Sequence, residues 1–163
     1  MDQEKELIEC LQAIPWFQSI SEKHFSMIAS VAKIVTIDRG EWLFKQGDKQ
    51  ESLYVVIEGR VSVELYSSVR GYLRVFTAEP MDVVGFSSVT PVVRQRTASA
   101  RAVLDSRLLA LDSAGLNRLC EQDHELGYIV MRRLANVAAS RVMICRLQLV
   151  DLFAHPTGED ENA

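Results

Sequence analysis

The order of apolar and polar residues divides the chain into three stretches, with a helical period at either end and a strand period between them. In the first stretch, Leu7, Ile8 and Leu11 share one face of a predicted helix over Lys5–Ala13, which Pro15 stops. Ser21 is placed to cap a second helix running to about Val31, with Phe25, Ile28 and Ala29 on one side. Trp16 and Phe17, between the two, are expected core anchors. From Lys33 the runs shorten to strand length: Ile34–Ile37, Trp42–Phe44, Leu53–Ile57, Val61–Leu65, Leu73–Thr77, Thr97–Val103 and Arg107–Leu111. Gly40, Gly47, Gly59 and Gly71 punctuate them, as turns require. Val61, Val63 and Leu65 alternate with Arg60, Ser62 and Glu64, which predicts one buried and one wet face. Short strands at this spacing predict a mainly β domain, an antiparallel β-roll or jelly roll.

The last stretch returns to a helical period. Asp112 or Ser113 caps a short helix through Cys120, and Asp123 opens a long one to about Phe153. Along it, Tyr128, Met131, Ala135, Ala138, Val142, Cys145, Leu149 and Leu152 recur at alternating spacings of three and four, the seam of a coiled coil. A second stripe, Ile129 or Val130, Leu134, Val137 and Ile144, lies off that seam. Two apolar stripes need two partners. Either both enter one monomeric core, or the roll takes one and a second copy of the helix takes the other, giving a homodimer through residues 128–152. The expected organisation is therefore N-terminal helices and roll over residues 1–122, a dimerisation helix over 123–153, and a disordered acidic tail over 154–163.

Composition narrows the classes. With 18 Lys and Arg against 22 Asp and Glu, the net charge of −4 lacks the basic surplus that phosphate backbones demand. No apolar run approaches a membrane span, and the charged N-terminus has no signal-peptide core. Cys10, Cys120 and Cys145 are odd in number and form no CxxC pair, which fits reduced thiols acting as small buried apolar residues in the cytoplasm. His24, His124 and His155 fall on helices or the tail rather than on strands, so the cupin-type metal site that a β-roll also suggests lacks ligands. Nothing resembles a nucleophile elbow, a Cys–His pair or a P-loop, and no enzyme activity is expected.

Three segments carry a resemblance. Residues 39–48, Arg-Gly-Glu-Trp-Leu-Phe-Lys-Gln-Gly-Asp, have the form G-E-x-L-F-x-x-G-D; Leu53–Val61 reads as a strand–Gly–strand hairpin; and Asp82–Ala102 has the outline of a phosphate-binding cassette. Together these resemble the cyclic-nucleotide-binding domain of the catabolite activator protein (Crp/Fnr-like) family over roughly residues 10–153. The resemblance implies a regulatory domain that binds a small anionic ligand, cyclic AMP or cyclic GMP being the family's type. Arg96 would be the phosphate arginine, because guanidinium pairs a buried phosphodiester bidentately. Thr97 would offer a hydroxyl and an N–H, Ala98 leaves room, and Gly85 opens a short helical turn of Phe86, Ser87 and Ser88.

Two residues depart from the pattern. The family's Glu after the glycine, which accepts from the ribose 2′-hydroxyl, is Phe86; its absence removes a hydrogen bond worth about 1.5–3 kcal/mol. The usual Pro-Gly-Asp turn is Pro80-Met81-Asp82. Arg96 therefore has two readings, as an anion ligand or as a structural partner of Glu79 or Asp82, whereas Arg94, Arg101 and Arg107 are expected to be solvated at strand ends. The whole chain likewise has two: a sensor whose ligand repositions the long helix, or a dimeric interaction module with a degenerate pocket and a protein partner still to be found. Family transcription factors add a helix-turn-helix domain of about 60–70 residues after the long helix. Ten residues follow Phe153 here, so DNA binding by that route is not expected.

Overall fold

The computed structural model describes residues 2–90 and 93–154; the expected tail, apart from Ala154, lies outside them, as does His155. Helix α1 (Asp2–Ala13) gives way at Pro15 to a 3-10 turn, Pro15–Phe17, that buries Phe17. Helix α2 (Glu22–Ala29) is capped as expected, the Ser21 hydroxyl accepting from the His24 N–H at 3.2 Å. Eight strands follow among the described residues: β1 (Ala32–Ile37), β2 (Trp42–Phe44), β3 (Ser52–Glu58), β4 (Val61–Ser67), β5 (Gly71–Ala78), β6 (Val83–Val84), β7 (Ser99–Ala102) and β8 (Ser106–Asp112). Helices α3 (Ser113–Gln122) and α4 (His124–Ala154) close the chain.

The strands pair antiparallel throughout, in the orders β1-β8-β3-β6 and β2-β7-β4-β5, and form the expected β-roll. Between the two sheets Val56, Val84 and Leu108 meet Val61, Ala78 and Ala100. On the outer face of the first sheet Leu53, Val55, Leu109 and Leu111 meet Leu11, Ile28, Leu116, Leu126 and Val130 from the helices. β3 and β8 are thus covered on both faces, which is why Leu108 to Leu111 is an unbroken buried run rather than an alternation.

β4 corrects an expectation. Val61 is buried, but so are Ser62 and Glu64, while Leu65 is exposed. Ser62 and Glu64 share one face of β4, and the register shift with β5 between Val63 and Glu64 places the extra residue, Val75, on β5, so β4 keeps its period of two and the face expected to be wet is buried. Glu64 tolerates burial because it accepts from Ser62 Oγ at 2.6 Å and from Arg101 Nη2 at 3.0 and 3.1 Å. Arg101 is accordingly not a solvated strand-end residue. It is the partner of a buried carboxylate, and it lies 4.7 Å over the Trp42 ring. Arg107 is likewise engaged, by Glu6 and Glu58, whereas Arg94 is exposed as expected. The strand expected over Thr97–Val103 is shorter, and β6, at two residues, left no pattern to read.

Helix α4 separates its two stripes. Val130 and Leu134 are buried against the core, with Val137 beside them. On the seam, Tyr128, Met131, Val142, Cys145, Leu149 and Leu152 are exposed. A single monomeric core holding both stripes is therefore excluded. Cys145 departs from the buried reading for the same reason; Cys10 and Cys120 are half-buried, and burial raises both thiol pKa values.

Candidate functional site

Arg96 precedes β7 and is fixed by its backbone before its side chain is considered. Its N–H donates to Asp48 O, and its carbonyl accepts from Gly47 N–H, both at 2.8 Å. The first and third segments of the sequence pattern meet here for that reason. The guanidinium is then enclosed: Nη2 donates to Ser52 O at 2.6 Å, Nη1 to Gly85 O at 3.3 Å, and Cζ lies 4.0 Å over the Phe44 ring. Only 3% of the residue is exposed, and Nε has no hydrogen-bond partner. Burial pulls its pKa down, yet a guanidinium stays charged in proteins.

Neither carboxylate suggested as its partner reaches it. Glu79 is held by Arg60 Nε at 2.9 Å, and Asp82 accepts from the Glu79 N–H at 2.9 Å. Among the described residues Arg96 makes no ion pair. The contrast with Arg101 five residues on is direct, since that guanidinium has Glu64. Glu51 and Asp48 act on it only from beyond pairing distance, so the buried cation bears a desolvation cost that an incoming anion would offset.

Gly85 opens the 3-10 turn Phe86–Val89 with φ of +74°. A Cβ there would collide with Arg96 Nη1 and come within 3.4 Å of Phe44, so glycine serves both the left-handed backbone and the close approach of the guanidinium. Gly85, Phe86, Ser87, Arg96, Thr97 and Ala98 line one cavity of about 180 Å³ with Phe44, Phe76, Val83 and Val84. Ser88 stands outside this lining, its hydroxyl accepting from Ser113 Oγ at 2.6 Å. Ser87 lines it, but its hydroxyl donates to Gln50 Oε1 at 2.9 Å, which leaves it poorly placed to replace the missing carboxylate. Phe86 is half-buried and reaches both the cavity and the helical core. Met81, where the family has glycine, adopts φ of +78°. The turn thus holds a left-handed backbone at this position with a residue other than glycine.

The motif did not foretell that Arg141, Ile144 and Cys145 of α4 form one wall of this cavity. Arg141 lies 3.4 Å over the Phe76 ring, and its Nη2 donates to Val83 O at 2.8 Å. Nothing distinguishes it in sequence from Arg132, Arg133 or Arg146 on the same helix.

One group of metal-capable side chains comes together among the described residues: His24, Asp123 and Glu125. Asp123 is already fully engaged. Oδ2 accepts from Lys23 Nζ at 2.6 Å, while Oδ1 caps α4 at the Leu126 N–H, 3.0 Å away, and lies 3.2 Å from His24 Nε2. The Lys23 bond, then the Leu126 bond, hold its carboxyl well below the ordinary range. The cluster is an anchor between α2 and the start of α4.

The roll with its flanking helices has the fold of a cyclic nucleotide-binding domain. Residues 34–123 match the family model of the cyclic nucleotide-binding domain, and the chain belongs to that family. A putative potassium channel protein of Rhodopseudomonas palustris is 29% identical over 112 residues, 68% of this chain but 26% of the channel, so the chain spans about a quarter of that relative. Among solved structures, a putative cyclic nucleotide-binding protein from Geobacter metallireducens is 26% identical with a TM-score of 0.72, covering 82% of this chain and 96% of that one. The catabolite activator protein of Thermus thermophilus is also 26% identical, with a TM-score of 0.68 over 86% of this chain and 63% of its own. The Crp/Fnr-like resemblance holds. No helix among the described residues is long and apolar enough to cross a membrane.

Proposed function

We propose that this chain is a non-catalytic sensor domain that binds a small anionic ligand, a cyclic nucleotide by family, at Arg96, and passes occupancy to α4. The observation that carries this reading is the buried, unpaired guanidinium with a free Nε. Gly85, Thr97 and Ala98 beside it supply the narrow backbone approach that a phosphate needs. Arg141, Ile144 and Cys145 give the ligand a direct route to the helix, and Cys145 lies on the seam that a second copy would cover. The working unit is accordingly a homodimer through residues 128–152, and a further protein partner would read the state of α4.

A second reading, a degenerate pocket on an intact scaffold, is favoured by Phe86 and by size. The cavity of about 180 Å³ is below the roughly 300–1,000 Å³ common for small-molecule sites, and Phe86 stands where a ribose-binding carboxylate belongs. A ligand must therefore displace Phe86 or the outer part of α4.

Isothermal calorimetry with cyclic AMP and cyclic GMP on wild type, Arg96→Ala and Phe86→Glu separates the two. The sensor reading expects wild-type binding, a loss of about 2–5 kcal/mol in Arg96→Ala for a desolvated charge pair, and a gain of about one to two decades in Phe86→Glu. Ligand-free melting curves establish that each variant is folded. Binding by Phe86→Glu alone would establish the scaffold reading, and equal binding by wild type and Arg96→Ala would remove Arg96 from the site.

A further inference from the structure

The sheet β2-β7-β4-β5 has an outer face as well as the inner one that carries the core. Val61, Ala100 and Ala102 point into the roll. Their neighbours Ser62 and Arg101 therefore point away from it, with Trp42 opposite Arg101 and Arg74 opposite Glu64 on the same face. Trp42 packs 4.7 Å from Tyr72, and Tyr72 is 42% exposed, so the face is open. Beside these rings Arg39, Arg74 and Arg101 line one groove of about 200 Å³ with Ser62, and no carboxylate among the described residues lines it. Glu64 is held by Arg101, while Glu41 and Asp105 accept from the backbone N–H groups of Asp38 and Arg39 at 3.1 and 2.8 Å. Arg39 and Arg74 make no ion pair among the described residues. Both bonds from Arg101 to Glu64 leave from Nη2, and its side chain is 40% exposed, so the rest of that fork is open to a ligand.

We infer that this face docks a phosphorylated segment of a partner protein, with a phosphoserine or phosphothreonine seated among Arg39, Arg74 and Arg101 and the flanking residues on Trp42 and Tyr72. Charge decides for phosphate over carboxylate. Glu64 neutralises Arg101, which leaves two uncompensated guanidiniums at the groove. A phosphomonoester brings about −1.5 to −2 to a single point, with three strong acceptor oxygens, whereas a carboxylate brings a single charge. Guanidinium forks meet phosphate oxygens with paired bonds, and clusters of arginine recognise phosphorylated segments in this way. Trp42 and Tyr72 add contact area at little cost in side-chain freedom. The chain as a whole carries a net charge of −4, so this groove is a local reversal of sign that draws an anion to one place. Arg96 does not line it, and the inference stands apart from whatever fills the cavity inside the roll.

Three degenerate peptide libraries, alike except for a central phosphoserine, serine or glutamate, test this when passed over the immobilised chain. Mass spectrometry reads what is retained by wild type, by the double variant Arg39→Gln/Arg74→Gln and by Arg96→Ala. Both arginines of the double variant are exposed, and a melting curve checks that each protein is folded. Wild type is expected to retain phosphoserine peptides about tenfold or more over their serine counterparts. The double variant should lose that preference, and Arg96→Ala should keep it within about twofold. Equal retention of the glutamate and phosphoserine libraries would overturn the phosphate reading in favour of a plain acidic segment. Loss of the preference in Arg96→Ala alone would move the phosphate into the cavity, and no preference by wild type would remove the site. Phosphatidylserine vesicles and single-stranded oligonucleotides complete the test: binding to either that wild type shows and the double variant lacks, without a phosphopeptide preference, would give the face to a membrane or a nucleic acid and overturn the inference.

Discussion

The two halves of α4 are built from the same kinds of residue and live in different surroundings. In the first, Leu126, Val130 and Leu134 are buried in the main core, and Asp123 fastens the start to Lys23, His24 and the Leu126 N–H. From Cys145 to Ala154 every residue is exposed, Leu147, Leu149, Val150, Leu152 and Phe153 included. What ties this outer half to the roll is sparse: Gln148 Nε2 donates to Val75 O at 2.7 Å, and Arg141 and Ile144 sit at its root on the cavity wall. One continuous helix therefore joins a segment that cannot move without unfolding the core to one that can. The cavity lies at the junction. A contiguous apolar surface of this extent asks for a cover, and the seam continues through both halves.

The largest expected effect breaks the comparison at the seam. Ala138→Glu places a carboxylate unpaired in the proposed dimer interface, a cost of about 3–5 kcal/mol. Light scattering should show the wild type as a dimer at micromolar concentration and the variant as a folded monomer. A monomeric wild type would leave the outer half of α4 without the partner proposed for it. Next in size is the buried half itself. Leu126→Ala should lower the unfolding free energy by about 2–5 kcal/mol, whereas Leu149→Ala in a monomeric background should stay within about 0.5 kcal/mol. Urea titration of both variants in the Ala138→Glu background measures the contrast. Comparable losses at the two positions would abolish the distinction between the halves.

The sequence marked two apolar stripes on α4 but left open whether both enter one core; the exposure of Tyr128, Met131, Leu149 and Leu152 against the burial of Val130 and Leu134 separates them. The sequence carried the roll as well, through β-branched runs set between glycine turns. What it hid has physical reasons. Glu64 reads as a wet position until the Arg101 guanidinium of β7 is in place beside it, and that is not a property of β4 alone. At the site, Gly85–Ser87 and Arg96–Ala98 are contiguous stretches that a motif can mark. Phe44, Phe76 and Arg141 come from β2, β5 and α4, and only the packing of α4 against the roll brings them to one cavity. Ser88 was drawn into the site by adjacency; the 3-10 turn rotates it away, to Ser113.

A smaller effect tests the bracket against which the helix changes character. Met81 and Asp82 line a groove with Arg133, Asn136, Val137 and Arg141, and Met81 holds a left-handed φ in which a side chain costs about 1–2 kcal/mol. Met81→Gly removes that strain while adding freedom to the unfolded chain, so a net gain of about 0.5–1 kcal/mol is expected in urea unfolding. A loss of stability would mean that the Met81 side chain supports α4 by more than its backbone costs.

The smallest effect concerns the anchor at the start of α4 and is read by pH. Asp123 titrates below its ordinary value of 3.8 because Lys23, the Leu126 N–H and His24 all favour the carboxylate. A carboxyl whose pKa is depressed on folding contributes stability that is present above its unfolded value and is lost as the pH falls towards the folded one. The ammonium of Lys23 is exposed, which keeps the contribution small through solvent screening. Asp123→Asn retains a capping oxygen but loses the charge, and should lower Tm at pH 7 by no more than about 2 °C. That gap should narrow steadily below about pH 4, where the unfolded wild-type chain takes up a proton that the folded Asp123 carboxylate still excludes. A gap that stays constant to pH 2 would assign the role of Asp123 to hydrogen bonding alone. A gap that widens on acidification would reverse the sign of the linkage and place the stabilising charge of the inner half elsewhere, with His24 as the first residue to substitute.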